Sequence, residues 1–279
     1  MDPSPPPVTI TDPADERLAD YRDLRAVEGG RRRESATGHF VIEGELALQR
    51  ALRGPRPLRS VLLTPGRAAS LTDLRAALPA GVAVYVAERE VLAQLTGYDV
   101  HRGVLASAER GPLPHPADLL AGCRRVAVVE AVNDLENLGA VFRVAAALGL
   151  DAVLLDDRCA DPLYRRCVRV SLGWSTVVPH ARLGPLPAGL GTLRDAGMRA
   201  LALTPGPDAV AVDAAAASGL LDDPVALLVG AEGPGLEPAT IAAADHAVAV
   251  PMAPGVDSLN VATALAVVAS FAAARRGWE

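Results

Sequence analysis

The sequence contains no lysine: all 27 of its basic residues are arginines. Without a lysine amine, Schiff-base chemistry, pyridoxal-phosphate anchoring and phosphate binding by a P-loop lysine are excluded. A GC-rich coding bias produces the same excess of arginine, alanine and proline. The absence of lysine therefore removes several classes of enzyme without indicating one.

Cysteine is scarce as well, with only Cys123, Cys159 and Cys167 in 279 residues. An odd number of cysteines with no CxxC spacing favours neither a disulfide framework nor a structural zinc site. The five histidines are scattered and form no cluster with ligand spacing. We therefore expect no bound metal.

Long apolar runs are also missing, although half of the residues are hydrophobic. No stretch reaches the roughly 18 apolar residues of a membrane-spanning helix, and the first 16 residues are acidic and proline-rich, unlike a signal peptide. These features predict a soluble, cytoplasmic protein whose length suffices for a large core or two domains.

The net charge of −6 argues at first against a nucleic-acid partner. The charge is unevenly spread, however: residues 31–67 carry eight arginines against three glutamates. A solvated surface would explain each arginine separately, whereas together they favour a polyanion as partner, and both interpretations stay open.

Apolar runs alternate with helical patterns along most of the chain, which predicts α/β structure. In the second half, this alternation predicts a mostly parallel sheet covered by helices on both faces. The strands predicted there span residues 126–129, 152–155, 200–203, 225–229 and 247–250, and the last helix spans 258–276.

Three prolines at positions 112, 114 and 116 fit an extended connector better than a helix or a central strand. We place the domain boundary there. The predicted parts are a disordered N-terminal tail over 1–15, a small α/β domain over 16–110, a linker over 111–123 and a larger α/β domain over 124–279.

Ligands of open α/β sheets bind beyond the carboxyl ends of the strands, so the loops there are the first places to search for chemistry. In the loop after residues 126–129, Asn137 lies at a predicted helix start and Arg143 follows further along the helix. Free N–H groups at a helix start and an arginine can together hold a phosphate. A capped helix with one solvated arginine is the alternative.

Two more loops are unusual. Glu232 lies among glycines directly after a continuous apolar strand, where bare backbone groups can approach a ligand closely. A third loop, residues 251–260, combines a proline- and glycine-containing turn with Ser258 and Asn260 at a helix start. Three polar loops at one sheet edge are more than chain reversal requires.

In order and spacing, these loops resemble the three signature motifs of the SpoU/TrmH family of RNA 2'-O-ribose methyltransferases, within the SPOUT superfamily. Upstream, residues 40–52 and 101–106 look like the substrate-binding domain of that family. The matching motif residues are Asn137, Gly139 and Arg143; Gly230, Glu232 and Gly235; and Pro251, Met252, Ser258, Leu259 and Asn260.

The resemblance implies a C-terminal α/β knot, a mostly parallel sheet with a deep trefoil knot, preceded by a smaller α/β substrate-binding domain. It also implies a homodimer that binds S-adenosylmethionine and RNA, with ribosomal RNA favoured and transfer RNA possible. The cofactor-binding residues that it implies are Thr204, Gly230, Val250, Met252 and Leu259.

The resemblance further nominates Arg143 to activate a ribose 2'-hydroxyl. Because a guanidinium stays protonated in proteins, we expect Arg143 to stabilise the developing alkoxide and the adjacent phosphate. We expect Asn137 to anchor that phosphate, and Glu232, Ser258 and Asn260 to orient the site. The predicted RNA-binding residues are Arg31, Arg32, Arg33, Arg165 and Arg169.

Two other functions remain as alternatives. The first is an RNA-binding or ribosome-assembly protein with the same fold and no activity. The second is a nucleotide-dependent oxidoreductase, which is disfavoured because no GxGxxG follows the first strand of the second domain. The sequence leaves open which nucleotide is modified, and whether the modification is housekeeping or confers antibiotic resistance.

Overall fold

The computed structural model describes residues 6–25 and 38–274. The chain forms two compact units, one made of the residues up to 112 together with 162–177, and the other of 113–161 and 178 onward. Segment 162–177 thus departs from the predicted second domain over 124–279. Its buried side chains Leu163 and Val168 pack into the apolar core of the first unit.

In the described residues, the first unit contains a five-stranded mixed sheet with strand order β1-β4-β3-β5-β2. Its strands are β1 (Val8–Thr9), β2 (His39–Glu43), β3 (Leu58–Leu63), β4 (Ala83–Val86) and β5 (Val104–Glu109). Its α-helices are α1 (Glu45–Ala51), α2 (Pro65–Ser70), α3 (Thr72–Ala76), α4 (Arg89–Thr96) and, from the later segment, α7 (Arg165–Val170). Two 3-10 helices span Glu16–Tyr21 and Trp174–Thr176.

The disordered tail predicted over residues 1–15 is wrong for the described part of that range. Val8 and Thr9 pair in parallel with Tyr85 and Val86 of β4, and Ile10 is buried. The first five residues lie outside the described part of the chain. The proline-rich composition of the N-terminus gave no indication of this strand, because a two-residue strand at the edge of a sheet carries no periodic signal of its own.

The second unit contains a seven-stranded sheet in the described residues, with strand order β10-β12-β9-β11-β6-β7-β8 and every pairing parallel. Its strands are β6 (Arg125–Glu130), β7 (Ala152–Leu155), β8 (His180–Arg182), β9 (Arg199–Leu203), β10 (Val210–Ala211), β11 (Val225–Gly230) and β12 (His246–Ala249). Its helices are α5 (Pro116–Leu120), α6 (Leu135–Leu148), α8 (Leu190–Asp195), α9 (Val212–Ala217), α10 (Pro238–Ala243) and α11 (Val261–Ala274).

The mostly parallel sheet is confirmed, and the burial of its central strands follows from their apolar composition. Every residue of β6, β7 and β11 is buried, as expected of apolar strands covered on both faces. The long helices α6 and α11 pack against each other, and α11 also packs against β11. Because the strands are parallel, the loops that leave their carboxyl ends lie along one edge.

Asp134 is the N-cap residue of α6, the helix that carries Asn137. Its Oδ1 accepts hydrogen bonds from the backbone N–H of Glu136 at 2.9 Å and of Asn137 at 2.8 Å. We predict that Asp134→Ala lowers the free energy of unfolding by about 1 kcal/mol, the usual cost of losing an N-cap side chain. Urea denaturation measures this, and Asp134→Asn, which keeps an acceptor oxygen, is the control that should remain near wild type.

The three cysteines are free thiols. In the described ranges, no helix has both the length and the hydrophobicity needed to cross a membrane. The same ranges hold no group of three or more histidine, cysteine, aspartate or glutamate side chains arranged to bind a metal ion.

Candidate active site

A cavity of about 340 Å³ opens at the carboxyl edge of the parallel sheet. Its wall is built by the segments that follow β9, β11 and β12 and by the start of α11. The structure brings all five predicted cofactor-binding residues to this wall: Thr204, Gly230, Val250, Met252 and Leu259. Three predicted catalytic residues line it as well, namely Glu232, Ser258 and Asn260.

The loop after β11 folds back tightly on itself. The Gly235 N–H donates to the carbonyl of Ala231 at 2.9 Å, and these two residues form an isolated antiparallel bridge. A Cβ atom on Gly230 would lie 2.1 Å from the carbonyl carbon of Gly235 and 2.2 Å from the nitrogen of Leu236. Only glycine fits at position 230, and the loop therefore presents bare backbone to the cavity.

Side-chain hydrogen bonds join the three sequence motifs. Asn137 Nδ2 donates to Glu232 Oε2 at 2.9 Å, and Asn260 Nδ2 donates to Asn137 Oδ1 at 2.7 Å. Asn137 is buried, and Asn260 Oδ1 accepts the Ala262 N–H at 3.0 Å at the start of α11. Asn137 is 95 positions from Glu232 and 123 positions from Asn260 in sequence, yet the three side chains form one chain of hydrogen bonds beside the cavity.

Arg143 is not part of this chain of hydrogen bonds. It lies six residues after Asn137 on α6, about 240° further around the helix, and is exposed. It is not among the residues that line the cavity, and it makes no side-chain hydrogen bond or ion pair within residues 6–25 and 38–274. The structure of one chain therefore places the predicted activating group in solvent.

The predicted RNA-binding arginines fall into two groups. Arg31, Arg32 and Arg33 lie outside the described residues. Arg165 and Arg169, on α7, both form ion pairs with the buried carboxylate of Glu43, and the Arg165 guanidinium also lies 4.5 Å from the centre of the Tyr98 ring. These contacts hold segment 162–177 onto the first unit; a contact between either arginine and RNA stays a prediction.

Most of the other arginines of residues 31–67 also form hydrogen bonds or ion pairs within the first unit. Arg50 and Arg56 donate to the backbone carbonyls of Leu172 and Arg110, and Arg59 pairs with Asp20 at 2.9 Å. These contacts give the three side chains a role in the fold, which the sequence pattern did not reveal; phosphate binding by any of them stays a prediction.

Sequence reasoning missed three further residues at this sheet edge: Glu130, Asp156 and Arg158. Glu130 ends β6 and Asp156 follows β7, and both carboxylates are buried and paired with Arg158. The available signal was an acidic residue at the end of each of two neighbouring apolar strands, where burial of a carboxylate requires a partner.

Family models match both units of the chain. Residues 124–270 match the SpoU rRNA Methylase family, and residues 41–113 match the domain described as RNA 2'-O ribose methyltransferase substrate binding.

Curated relatives agree with these matches. The chain is 46% identical over 260 residues to an uncharacterized tRNA/rRNA methyltransferase of Mycobacterium tuberculosis, covering 92% of this chain and 88% of the relative. It is 28% identical over 255 residues to the 23S rRNA (guanosine(2553)-2'-O)-methyltransferase RlmP of Bacillus subtilis, covering 91% and 94%.

Solved structures share the fold. An AdoMet-bound rRNA methyltransferase from Sinorhizobium meliloti aligns with a TM-score of 0.79 at 23% identity, over 97% of this chain and 98% of that one. The SpoU methyltransferase AviRb from Streptomyces viridochromogenes, in complex with AdoMet, aligns with a TM-score of 0.74 at 22% identity, over 94% and 99%.

The fold and the matched family models define an RNA 2'-O-ribose methyltransferase. The chain belongs to the SpoU rRNA methylase family. The resemblance stated from the three motifs is thereby confirmed.

Proposed function

We propose that this enzyme methylates one ribose 2'-hydroxyl of ribosomal RNA, and that the cavity beside β11 is its cofactor site. The observation that carries the proposal is the hydrogen-bonded chain from Asn260 through Asn137 to Glu232, which unites the three motifs at that cavity. Ribosomal RNA is favoured because the Bacillus subtilis relative is named as a 23S rRNA methyltransferase. The mycobacterial relative, named tRNA/rRNA methyltransferase, keeps transfer RNA as an alternative.

The cavity fits S-adenosylmethionine by its wall of backbone groups. The tight loop after Gly230 leaves N–H and C=O groups free of covering side chains, and Val250 and Leu259 flank them. Thr204 and Met252 add a hydroxyl and a thioether to the same wall. The bound cofactor supplies an electrophilic methyl group, and these residues hold it beyond the ends of the strands.

The polar residues then position the ribose and its phosphate. Asn137 anchors the phosphate, while Glu232, Ser258 and Asn260 fix the orientation of Asn137 and of the cavity mouth. Arg143 keeps its proton and stabilises the negative charge that develops on the 2'-oxygen. No metal has a role in this scheme, and methyl transfer should be unchanged by EDTA.

We further propose that the enzyme is a homodimer in the cytoplasm and that its C-terminal segment forms the trefoil knot. A dimer is supported by α11, which carries no charged residue over Val261–Ala274 and leaves Phe271 37% exposed. In such a dimer, the exposed Arg143 of one chain is available to the cavity of the other chain. Light scattering tests this: wild type should have the mass of two chains, and Phe271→Glu should shift towards one.

The test of the proposed function is transfer of labelled methyl from S-adenosylmethionine to unmodified total RNA. The RNA is separated by size and digested to nucleosides. A labelled 2'-O-methyl nucleoside in the ribosomal fraction supports the proposal, and label in the small-RNA fraction selects transfer RNA instead. Cofactor binding without label in free RNA or ribosomal particles would favour the alternative of an RNA-binding protein that has lost its chemistry.

The three consecutive arginines Arg31, Arg32 and Arg33 give a separate prediction for RNA binding. Changing all three to glutamine should weaken RNA binding and reduce the slope of log K against log salt, by about 0.7 to 0.9 for each phosphate that is no longer neutralised. Filter binding across a salt series measures both quantities. An unchanged slope would contradict a role of these arginines in gripping the backbone.

A further inference from the structure

A fully buried carboxylate, that of Glu130, anchors the end of the glycine-rich loop that leads from β11 to α10. Glu130, the last residue of β6, accepts hydrogen bonds from the Glu237 N–H at 2.9 Å and from the Thr240 hydroxyl at 2.7 Å. Glu237 and Thr240 lie at the start of α10, directly after the loop that carries Gly230 and Glu232. Glu130 therefore fixes the point at which that loop returns to the fold.

A second buried carboxylate holds the neighbouring loop. Asp156 Oδ1 accepts the backbone N–H of Ala131 at 3.0 Å. Ala131 has φ 55, a left-handed conformation that a residue with a side chain adopts only when its surroundings impose it. It opens the loop that leads from β6 to Asn137, so Asp156 stabilises the start of the first motif.

One arginine connects the two carboxylates. Arg158 donates to Glu130 Oε1 at 3.3 Å and to Asp156 Oδ2 at 3.0 Å, and it also pairs with the Glu237 carboxylate. The Arg158 side chain is 48% exposed, whereas Glu130 and Asp156 are each 1% exposed. The planar guanidinium thus places its single positive charge between two carboxylates that the fold has removed from water.

We propose that Glu130, Asp156 and Arg158 form a brace whose task is to position the first and second motif loops for cofactor binding. None of the three lines the cavity, so they are positioning residues that act through Ala131 and Glu237. When Arg158 is removed, Glu130 and Asp156 lose their cation, and the two loop ends that they anchor shift to admit water. The inference rests on the proposal that the cavity beside β11 holds S-adenosylmethionine.

The chain offers a matched control at the opposite edge of the same sheet. Arg124 precedes β6, is 56% exposed and pairs with the buried Asp223 at 3.1 Å. Arg124→Ala and Arg158→Ala each remove one half-exposed arginine from a buried carboxylate. They differ in two ways: only Arg158 is connected to the loops of the cavity, and Asp223 keeps a second arginine, Arg125, at 2.5 Å when Arg124 is removed. Urea denaturation of both variants therefore accompanies the comparison, so that a loss of stability is told apart from a loss of cofactor binding.

The experiment compares wild type, Arg158→Ala and Arg124→Ala by calorimetric titration with S-adenosylmethionine and by methyl-transfer kinetics. We expect Arg158→Ala to raise the Kd and the KM for the cofactor about tenfold, a value limited by the solvent exposure of the arginine. Its kcat at saturating cofactor should stay within about twofold of wild type, because no group that contacts the reacting atoms is removed. Arg124→Ala should leave all three constants unchanged.

Two further variants make each outcome decisive. Arg158→Lys keeps the charge but not the planar fork, so an intermediate Kd is expected, and this variant replaces Arg158→Ala should the latter fail to fold. Equal cofactor Kd values for the Arg158 and Arg124 variants would overturn the brace alone.

The second variant, Ala264→Phe, puts a large side chain into the cavity wall. Undiminished cofactor binding by Ala264→Phe would overturn the cofactor site and the brace together.

Discussion

The Gly230→Ala variant is expected to lose S-adenosylmethionine binding, with a rise in Kd of about 100-fold or more. The added methyl group would lie 2.1 Å from the backbone of Gly235, which is well inside van der Waals contact. Backbone cannot move aside as a flexible side chain can, so the loop from Ala231 to Gly235 must open and the cavity wall must change. Overpacking of this kind costs about 1–3 kcal/mol and more where the neighbour is rigid.

Gly206→Ala is the matched control for this variant. Gly206 also follows a strand of the same sheet, but a Cβ there meets no atom within 4 Å and its φ is not positive. Calorimetry with both variants separates a steric effect at Gly230 from a general effect of alanine in a loop. If Gly230→Ala bound the cofactor as well as Gly206→Ala does, the cavity beside β11 would not be the cofactor site.

Arg143→Lys is expected to lower kcat by about 100- to 1000-fold, the range seen when one group that stabilises a developing oxyanion is removed. Lysine keeps the positive charge but loses the planar fork that can contact a phosphate and an oxyanion together. Because Arg143 is exposed and does not line the cavity of its own chain, the stability and the cofactor Kd should stay at wild-type values. Near-wild-type turnover would exclude the proposed role.

If the enzyme is the proposed homodimer, mixed dimers decide which chain supplies Arg143. Chains carrying Arg143→Ala and chains carrying Gly230→Ala should each be inactive alone. If Arg143 serves the cavity of the partner, a mixed dimer contains one cavity with an intact loop facing an intact arginine, and activity returns on mixing. If Arg143 serves its own chain, mixing restores nothing.

The main strands of the second unit could be predicted because their signal is local. β6, β7, β9, β11 and β12 lie within a residue or so of the predicted runs, since buried parallel strands are continuous apolar segments bounded by polar loops. The short strands β8 (His180–Arg182) and β10 (Val210–Ala211) were missed. Strands of two or three residues have no periodicity to detect, and their pairing partners are distant in sequence.

The path of the chain between β7 and β8 could not be predicted either. The second domain was predicted over 124–279, but segment 162–177, with its helix from Arg165, packs on the first unit. The partner that holds it, Glu43, is 122 residues away from Arg165 in sequence. A charge pair across such a separation leaves no trace in local composition.

The sequence by itself determined the family, the parallel α/β architecture and the residues that meet at the cavity, because motif chemistry and strand ends are local properties that parallel topology brings to one edge. Only the tertiary structure decided how those residues are held: the closure of the loop at Gly230, the hydrogen bonds of Asn137 and the pairing of Glu130 and Asp156 with Arg158. These interactions depend on distances between residues far apart in the chain. Such distances are set by the packing of the whole sheet.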